Sequence, residues 1–162
     1  MTPATRGVAR SLAAAAALRG GATSLLLGGS ADLACANVLC GSFPGGCACR
    51  LALALSRHGA ALEELDVSDA ALPALPDAVG ELRALRVLRA PRNRLAALPA
   101  ALRGARALEE LDVRDNALAA LPLDLLRALP ALRRVRASGN PLSKGARDAA
   151  SAQGLAFTVE LE

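Results

Sequence analysis

Three consecutive segments open Leu62-Glu-Glu-Leu65-Asp-Val67, Leu85-Arg-Val-Leu88-Arg-Ala90 and Leu108-Glu-Glu-Leu111-Asp-Val113, each beginning 23 residues after the last. A unit of this length cannot bury its own apolar face. It must stack on copies of itself, so the chain is constrained to a solenoid with one exposed sheet.

Each unit follows L-x-x-L-x-L-x-x-N-x-L-x-x-L-P-x-x-L. The fourth and sixth positions alternate along a short strand and therefore point to the same side, inward. An Asn follows where the chain leaves the strand, and its amide can bond backbone groups of adjacent coils. The Leu-Pro pair opens the return path, since proline tolerates the missing donor at a helix start. Asn93, Asn116 and Asn140 occupy the Asn slot, but Ala70 replaces it in the first unit. Ala90 and Ala137 stand where a larger apolar residue packs better, and Pro91 is expected to end its strand early.

Residues 62–142 resemble the leucine-rich repeat family in its typical 23-residue intracellular form, including small cytoplasmic members related to Ras-pathway scaffolds. The fold this implies is α/β, a solenoid with a short parallel sheet on its concave face and helical or irregular convex returns. The role it implies is protein binding through the concave face, in signalling or assembly.

Outside the repeats the pattern weakens. Leu33, Cys35, Val38, Cys40, Phe43 and Pro44 read as a degenerate first coil, followed by a convex helix from Cys49 to Leu62. Ser143 to Ala152 reads as a capping helix. Leu155, Phe157, Val159 and Leu161 alternate with polar residues, as in a half-buried strand that covers the end of the sheet. Four segments are therefore expected: 1–31 as an N-terminal cap or transit-like segment, 32–61 as the degenerate coil with its return, 62–142 as the repeats, and 143–162 as the C-terminal cap.

The net charge of +4 suggests nucleic acid until it is divided along the chain. Residues 1–61 hold five Arg and one Asp, which accounts for the whole excess. From Leu62 onward the charges cancel, and the repeats lack aromatic residues on which bases could stack, so a nucleic-acid partner is not expected. Cys35, Cys40, Cys47 and Cys49 lack the paired spacing of a structural zinc site. Cys35 and Cys40 read as small core residues at inward repeat positions, with a disulfide or a metal as alternatives for the cluster. His58, the single histidine, reads as a helix C-terminal residue. No catalytic site, cofactor or metal is assigned, and the chain is read as a non-enzyme.

The first 31 residues contain Arg6, Arg10 and Arg19 with no acid, a composition shared by an organelle transit peptide and a plain Ala-rich capping helix. A cytoplasmic protein is the primary expectation, with a mitochondrial or plastid accessory subunit as the alternative. No transmembrane segment is expected.

The outward strand positions alternate in sign from coil to coil. Asp66, Arg89, Asp112 and Arg136 should lie side by side as a ladder of opposite charges across strands about 4.8 Å apart. With Glu64, Arg92, Glu110, Arg114 and Arg134 they form the expected partner-binding face, the partner being another protein of unknown identity and the oligomeric state open.

Overall fold

The computed structural model describes residues 7–17, 22–30, 33, 48–58, 61–151 and 155–161. Its single parallel sheet has seven strands whose spatial order is their chain order: β1 (Val8–Ala9), β2 (Ser24–Leu26), β3 (Glu64–Asp66), β4 (Val87–Arg89), β5 (Glu110–Asp112), β6 (Arg134–Arg136) and β7 (Thr158–Glu160). Each strand is short because the inward pair of side chains, not the strand, is what repeats. Leu25, Leu65, Leu88, Leu111 and Val135 are buried in one register column, and Leu27, Val67, Ala90, Val113 and Ala137 are buried two residues further on. Apolar burial along these columns is the main source of stability.

The convex returns begin as the Leu-Pro spacing predicts. Pro76 precedes a 3-10 helix at Asp77–Glu81, Pro99 one at Ala100–Gly104, and Pro122 the short helix α3 (Leu123–Arg127). Upstream, α1 (Leu12–Ala17) follows β1, and α2 (Ala48–His58) packs on the Asp77–Glu81 turn as the expected convex helix. The Ser143–Ala152 stretch forms α4 (Lys144–Ser151), where the Ser143 hydroxyl accepts from the Ala146 N–H and caps the helix. The two 3-10 helices approach so closely that a Cβ on Gly80 would lie 2.0 Å from the Ala101 carbonyl oxygen. One on Gly104 would lie 2.2 Å from that of Gly80.

The Asn ladder is complete from Asn93 onward. Asn93 Oδ1 accepts from the N–H groups of Ala70 and Leu72 in the preceding coil, while Nδ2 donates to the carbonyls of Val67, Ala90 and Pro91. Asn116 accepts from Leu95 and donates to Ala90, Val113 and Arg114; Asn140 accepts from Leu118 and donates to Val113, Ala137 and Ser138. One slot before each Asn the backbone is left-handed, at Arg92, Asp115 and Gly139, with Asp69 equivalent in the first unit. The coil that lacks its Asn has a second left-handed residue, Ala71, with φ of 50°. A Cβ there is strained by roughly 1 kcal/mol. Ala71→Gly is therefore expected to raise stability by up to about 1 kcal/mol, measured by urea denaturation.

Pro91 does not shorten its strand: β4 has three residues, like its neighbours. The reason lies in the adjacent coils. At the same slot the N–H of Ser68 bonds Asp66, and that of Arg114 bonds Asp112, each within its own coil. The ladder never uses this donor, so proline removes nothing from it. The Pro91 carbonyl still accepts from Asp69 N–H.

The N-terminal reading needs a larger correction. The strand paired with β3 is Ser24–Leu26, not the Leu33–Val38 stretch, and β1 lies beyond it. The sheet thus starts well before residue 32, and Ala9, Ala15, Ala22, Leu25 and Leu27 are all buried in the common core. Leu33 is buried in a 3-10 conformation, whereas Cys35, Val38, Cys40, Phe43, Pro44 and Cys47 lie outside the described residues. Cys49, at the start of α2, is disulfide-bonded, as the disulfide alternative for the cysteine cluster has it. The last strand is half-buried as expected, with Phe157 in the core and Leu155, Val159 and Leu161 packed against its end. It extends the sheet by one strand rather than closing it.

Candidate functional site: the concave sheet face

Two rows of outward side chains cross the sheet in register. One runs Ser24, Glu64, Val87, Glu110, Arg134 and Thr158; the other runs Leu26, Asp66, Arg89, Asp112, Arg136 and Glu160. The expected ladder of Asp66, Arg89, Asp112 and Arg136 therefore exists as a register. Its ion pairs do not follow the row.

Side-chain length decides where each carboxylate goes. The short Asp66 and Asp112 turn back along their own coils. Asp66 Oδ1 accepts from the N–H and hydroxyl of Ser68, and Asp112 takes the N–H of Arg114 and its guanidinium at 2.8 Å. Local bonds of this kind, from Asp to the residue two positions on, are strongly favoured geometrically. The longer glutamates reach across strands. Arg89 pairs diagonally with Glu64, Arg134 lies 3.8 Å from Glu110 and 3.4 Å from Glu160, and Arg136 is 3.1 Å from Glu160. Asp112 is buried despite its charge, whereas Glu64, Arg89, Glu110, Arg114, Arg134 and Arg136 keep substantial exposure.

Two further pairs frame these rows. Where the strands begin, Arg86 Nε bonds Glu109 at 2.8 Å. At the turn beyond the strands, Arg92 grips Asp69 through Nε and Nη2, both at 2.6 Å, in a two-pronged pair between left-handed residues of adjacent coils. Hydrogen bonding to these guanidiniums holds the carboxyls of Asp69 and Glu109 below the usual carboxylate range. Reciprocally, Arg86, Arg92 and Arg114 are pushed up by Glu109, Asp69 and Asp112. A carboxyl whose pKa is depressed by folding adds stability above its unfolded pKa, and that stability is lost as pH falls through the folded value. The melting temperature should hold from neutrality to about pH 5 and then decline on further acidification. Asp69→Asn combined with Glu109→Gln should flatten part of that decline. Because both pairs are exposed, the change is modest and disappears in high salt.

At the strand-starting side lies a shallow hollow of about 410 Å³, bounded by Thr23, Ser24, Glu63, Glu64, Arg86, Val87, Glu109 and Glu110, with Val8 at its rim. Val8 is 54% exposed, which is high for an aliphatic side chain in a sheet. Val8, Thr23 and Ser24 were not among the expected face residues, because β1 and β2 were not recognised as strands. A signal existed: Leu25 and Leu27 fill the inward columns, and Gly29 is left-handed, as Asp69 is at the corresponding turn.

The solved structure of a leucine-rich repeat protein from Leptospira interrogans superposes on this chain with a TM-score of 0.58 at 25% sequence identity. The match covers 63% of this chain. This chain has a leucine-rich repeat fold. It spans about a quarter of the length of that relative, 26% of which is matched. No protein-family model and no curated protein matches it. Among the described residues of this repeat protein, no helix is long and apolar enough to cross a membrane, and no group of three or more His, Cys, Asp or Glu side chains is placed to hold a metal.

Proposed function

We propose that this leucine-rich repeat protein is a non-catalytic protein–protein interaction module, a scaffold or adaptor in intracellular signalling, that binds another protein through its concave face. The observation that carries this reading is the arrangement of Glu64–Arg89, Glu110–Arg134 and Arg136–Glu160 as half-exposed pairs beside the hollow at Val87. Pairs of this kind hold side chains in fixed positions at little energetic gain, so a partner can exchange its own charges for them at small cost. The binding unit is the whole sheet from Val8 to Glu160, not the repeats of 62–142 alone.

A charge swap tests the reading without removing a pair. Glu64→Arg with Arg89→Glu keeps the contact and inverts its polarity. In affinity capture with quantitative mass spectrometry, proteins retained by the natural chain should be lost from the swapped one, whose melting temperature should be unchanged. Equal capture by both would overturn the assignment of this face. Arg89, Arg134 and Arg136 reversed together should abolish capture more completely.

The alternative, an organellar accessory subunit that its first 30 residues target or anchor, carries a structural cost if that segment is cleaved. Removing residues 1–31 would strip β1, β2 and five buried side chains from the core. A fluorescent reporter fused to residues 1–31 tests it directly; accumulation in an organelle would support it, and diffuse signal would reject it.

A further inference from the structure

The geometry points to an arginine side chain of the partner protein as the group that seats over Val87 on the concave face, between Glu64 and Glu110. This rests on the proposed function and narrows it, from a protein of any kind to one that presents a basic side chain at this slot.

Three rows of outward positions cross strands β3 to β6. The row at the strand starts reads Glu63, Arg86, Glu109 and Arg133, joined coil to coil by bonds from each N–H to the preceding C=O at 2.8–2.9 Å. The row at the strand ends reads Asp66, Arg89, Asp112 and Arg136. Both alternate acid and base without a break. The middle row reads Glu64, Val87, Glu110 and Arg134, so its alternation fails at one place. Strand β6 shows what the pattern calls for there. Arg134 holds in β6 the slot that Val87 holds in β4, and it stands 3.8 Å from Glu110. Neighbouring cations do not make up the difference. Glu64 turns diagonally to Arg89, Glu110 leans to Arg134 on its far side, and Arg86, beside Val87 in the chain, is taken by Glu109 at 2.8 Å.

The surface is concave at this break. The hollow of about 410 Å³ takes in Val87 together with the carboxylates of Glu63, Glu64, Glu109 and Glu110, against the single guanidinium of Arg86. Valine leaves open the room that a long cationic side chain of the same strand would fill. An arginine from outside fits it on two counts. Its methylene stem can lie on the valine methyls, as long charged side chains do on apolar surface. Its planar guanidinium offers several N–H donors to carboxylates on more than one side. Glu64 and Glu110 stand two strand spacings apart, about 10 Å between backbones, so their side chains approach one head group from opposite directions. Both are still partly exposed, with side-chain accessibilities of 31% and 40%, and Arg134 holds Glu110 only loosely. An acidic segment at this slot would meet like charge on both sides.

The test is chemical-shift mapping on the isotope-labelled full chain at low salt, with acetyl-Gly-Arg-Gly-amide as the probe. Saturable shifts are expected at the amides of Glu64, Val87 and Glu110, and none with the Gly-Glu-Gly counterpart. Val87→Arg supplies the cation from the chain itself and should weaken probe binding about fivefold or more at unchanged melting temperature. Val87→Thr, similar in shape and uncharged, should bind within about twofold of the natural chain. Glu64→Gln with Glu110→Gln removes the flanking charges and should give the same loss, even if Val87→Arg does not fold. Absence of saturable shifts at these amides, equal shifts from the Glu peptide, or binding unaltered by Val87→Arg and by the double Gln variant would each overturn the inference. Protein capture separates it from the reading on which it rests. If the Glu64–Arg89 swap abolishes capture and Val87→Arg leaves it whole, the face binds a partner but not through this slot; if neither changes capture, both fail.

Discussion

Asn93→Ala is expected to cost about 4–5 kcal/mol of unfolding free energy, the largest loss from any single rung of the Asn ladder. The amide makes five hydrogen bonds, but their replaceability differs. Ala90 C=O retains Asn116 Nδ2, and Pro91 C=O retains Asp69 N–H. The N–H groups of Ala70 and Leu72 and the carbonyl of Val67 have only Asn93 among the bonds described above. Two donors and one acceptor would be left in the interior, each costing about 1–3 kcal/mol less whatever relaxation recovers. The effect is concentrated here because Ala70 supplies no amide of its own, so Asn93 is the one side-chain amide bonded to the turn of that coil. Asn116→Ala orphans only Leu95 N–H in the same sense and should cost less, about 2–3 kcal/mol. Urea denaturation of the two variants should give that order; the reverse order would mean that the turn after β3 is held by something other than the amide.

Gly80→Ala is expected to cost about 3 kcal/mol or more by overpacking, in a position that looks permissive from outside. Its new methyl would overlap the Ala101 carbonyl, and backbone cannot rotate aside as a side chain can. Relief requires the two 3-10 helices to separate, which also disturbs the core in which Val79 and Leu102 are buried. Gly145→Ala is the internal comparison. Nothing lies within 4 Å of its added carbon, and it stands in helix α4, where alanine is favoured over glycine by about 1 kcal/mol. The two Gly→Ala changes should therefore move the melting temperature in opposite directions.

The repeat architecture was legible because three physical requirements recur at a fixed spacing: an inward pair, an amide and a proline. Those residues have the same role in every coil, and repetition exposes the role. The first two coils were not legible because they share only one of the three. Ser24-Leu25-Leu26-Leu27 carries the inward pair but no Asn and no Leu-Pro, and β1 contributes two residues. The close contact at Gly80 and Gly104 was invisible for a different reason. It depends on how tightly two convex turns nest, and the one-residue offset between the glycines masks their correspondence.

On the concave face the sequence revealed the register and the alternation of sign, but not the partners. Charge sign does not distinguish Glu from Asp, whereas reach does. Glu64 and Glu110 bridge strands, and Asp66 and Asp112 fold onto their own turns. Arg89 illustrates the consequence: with Asp66 occupied by Ser68, its nearest accessible carboxylate is the diagonal one.

Because the strands lie in the sheet in the order in which they occur in the chain, every coil exchanges bonds only with the coils made just before and just after it. Most tertiary contacts then join residues about one coil apart rather than distant parts of the chain, which limits the loop that must close before each coil is ordered. Order should spread outward from the coils of β4 and β5, where amide ladder, buried leucines and stacked turns coincide. Backbone amides there should exchange with solvent most slowly, with protection falling step by step toward Val8 on one side and Val159 on the other.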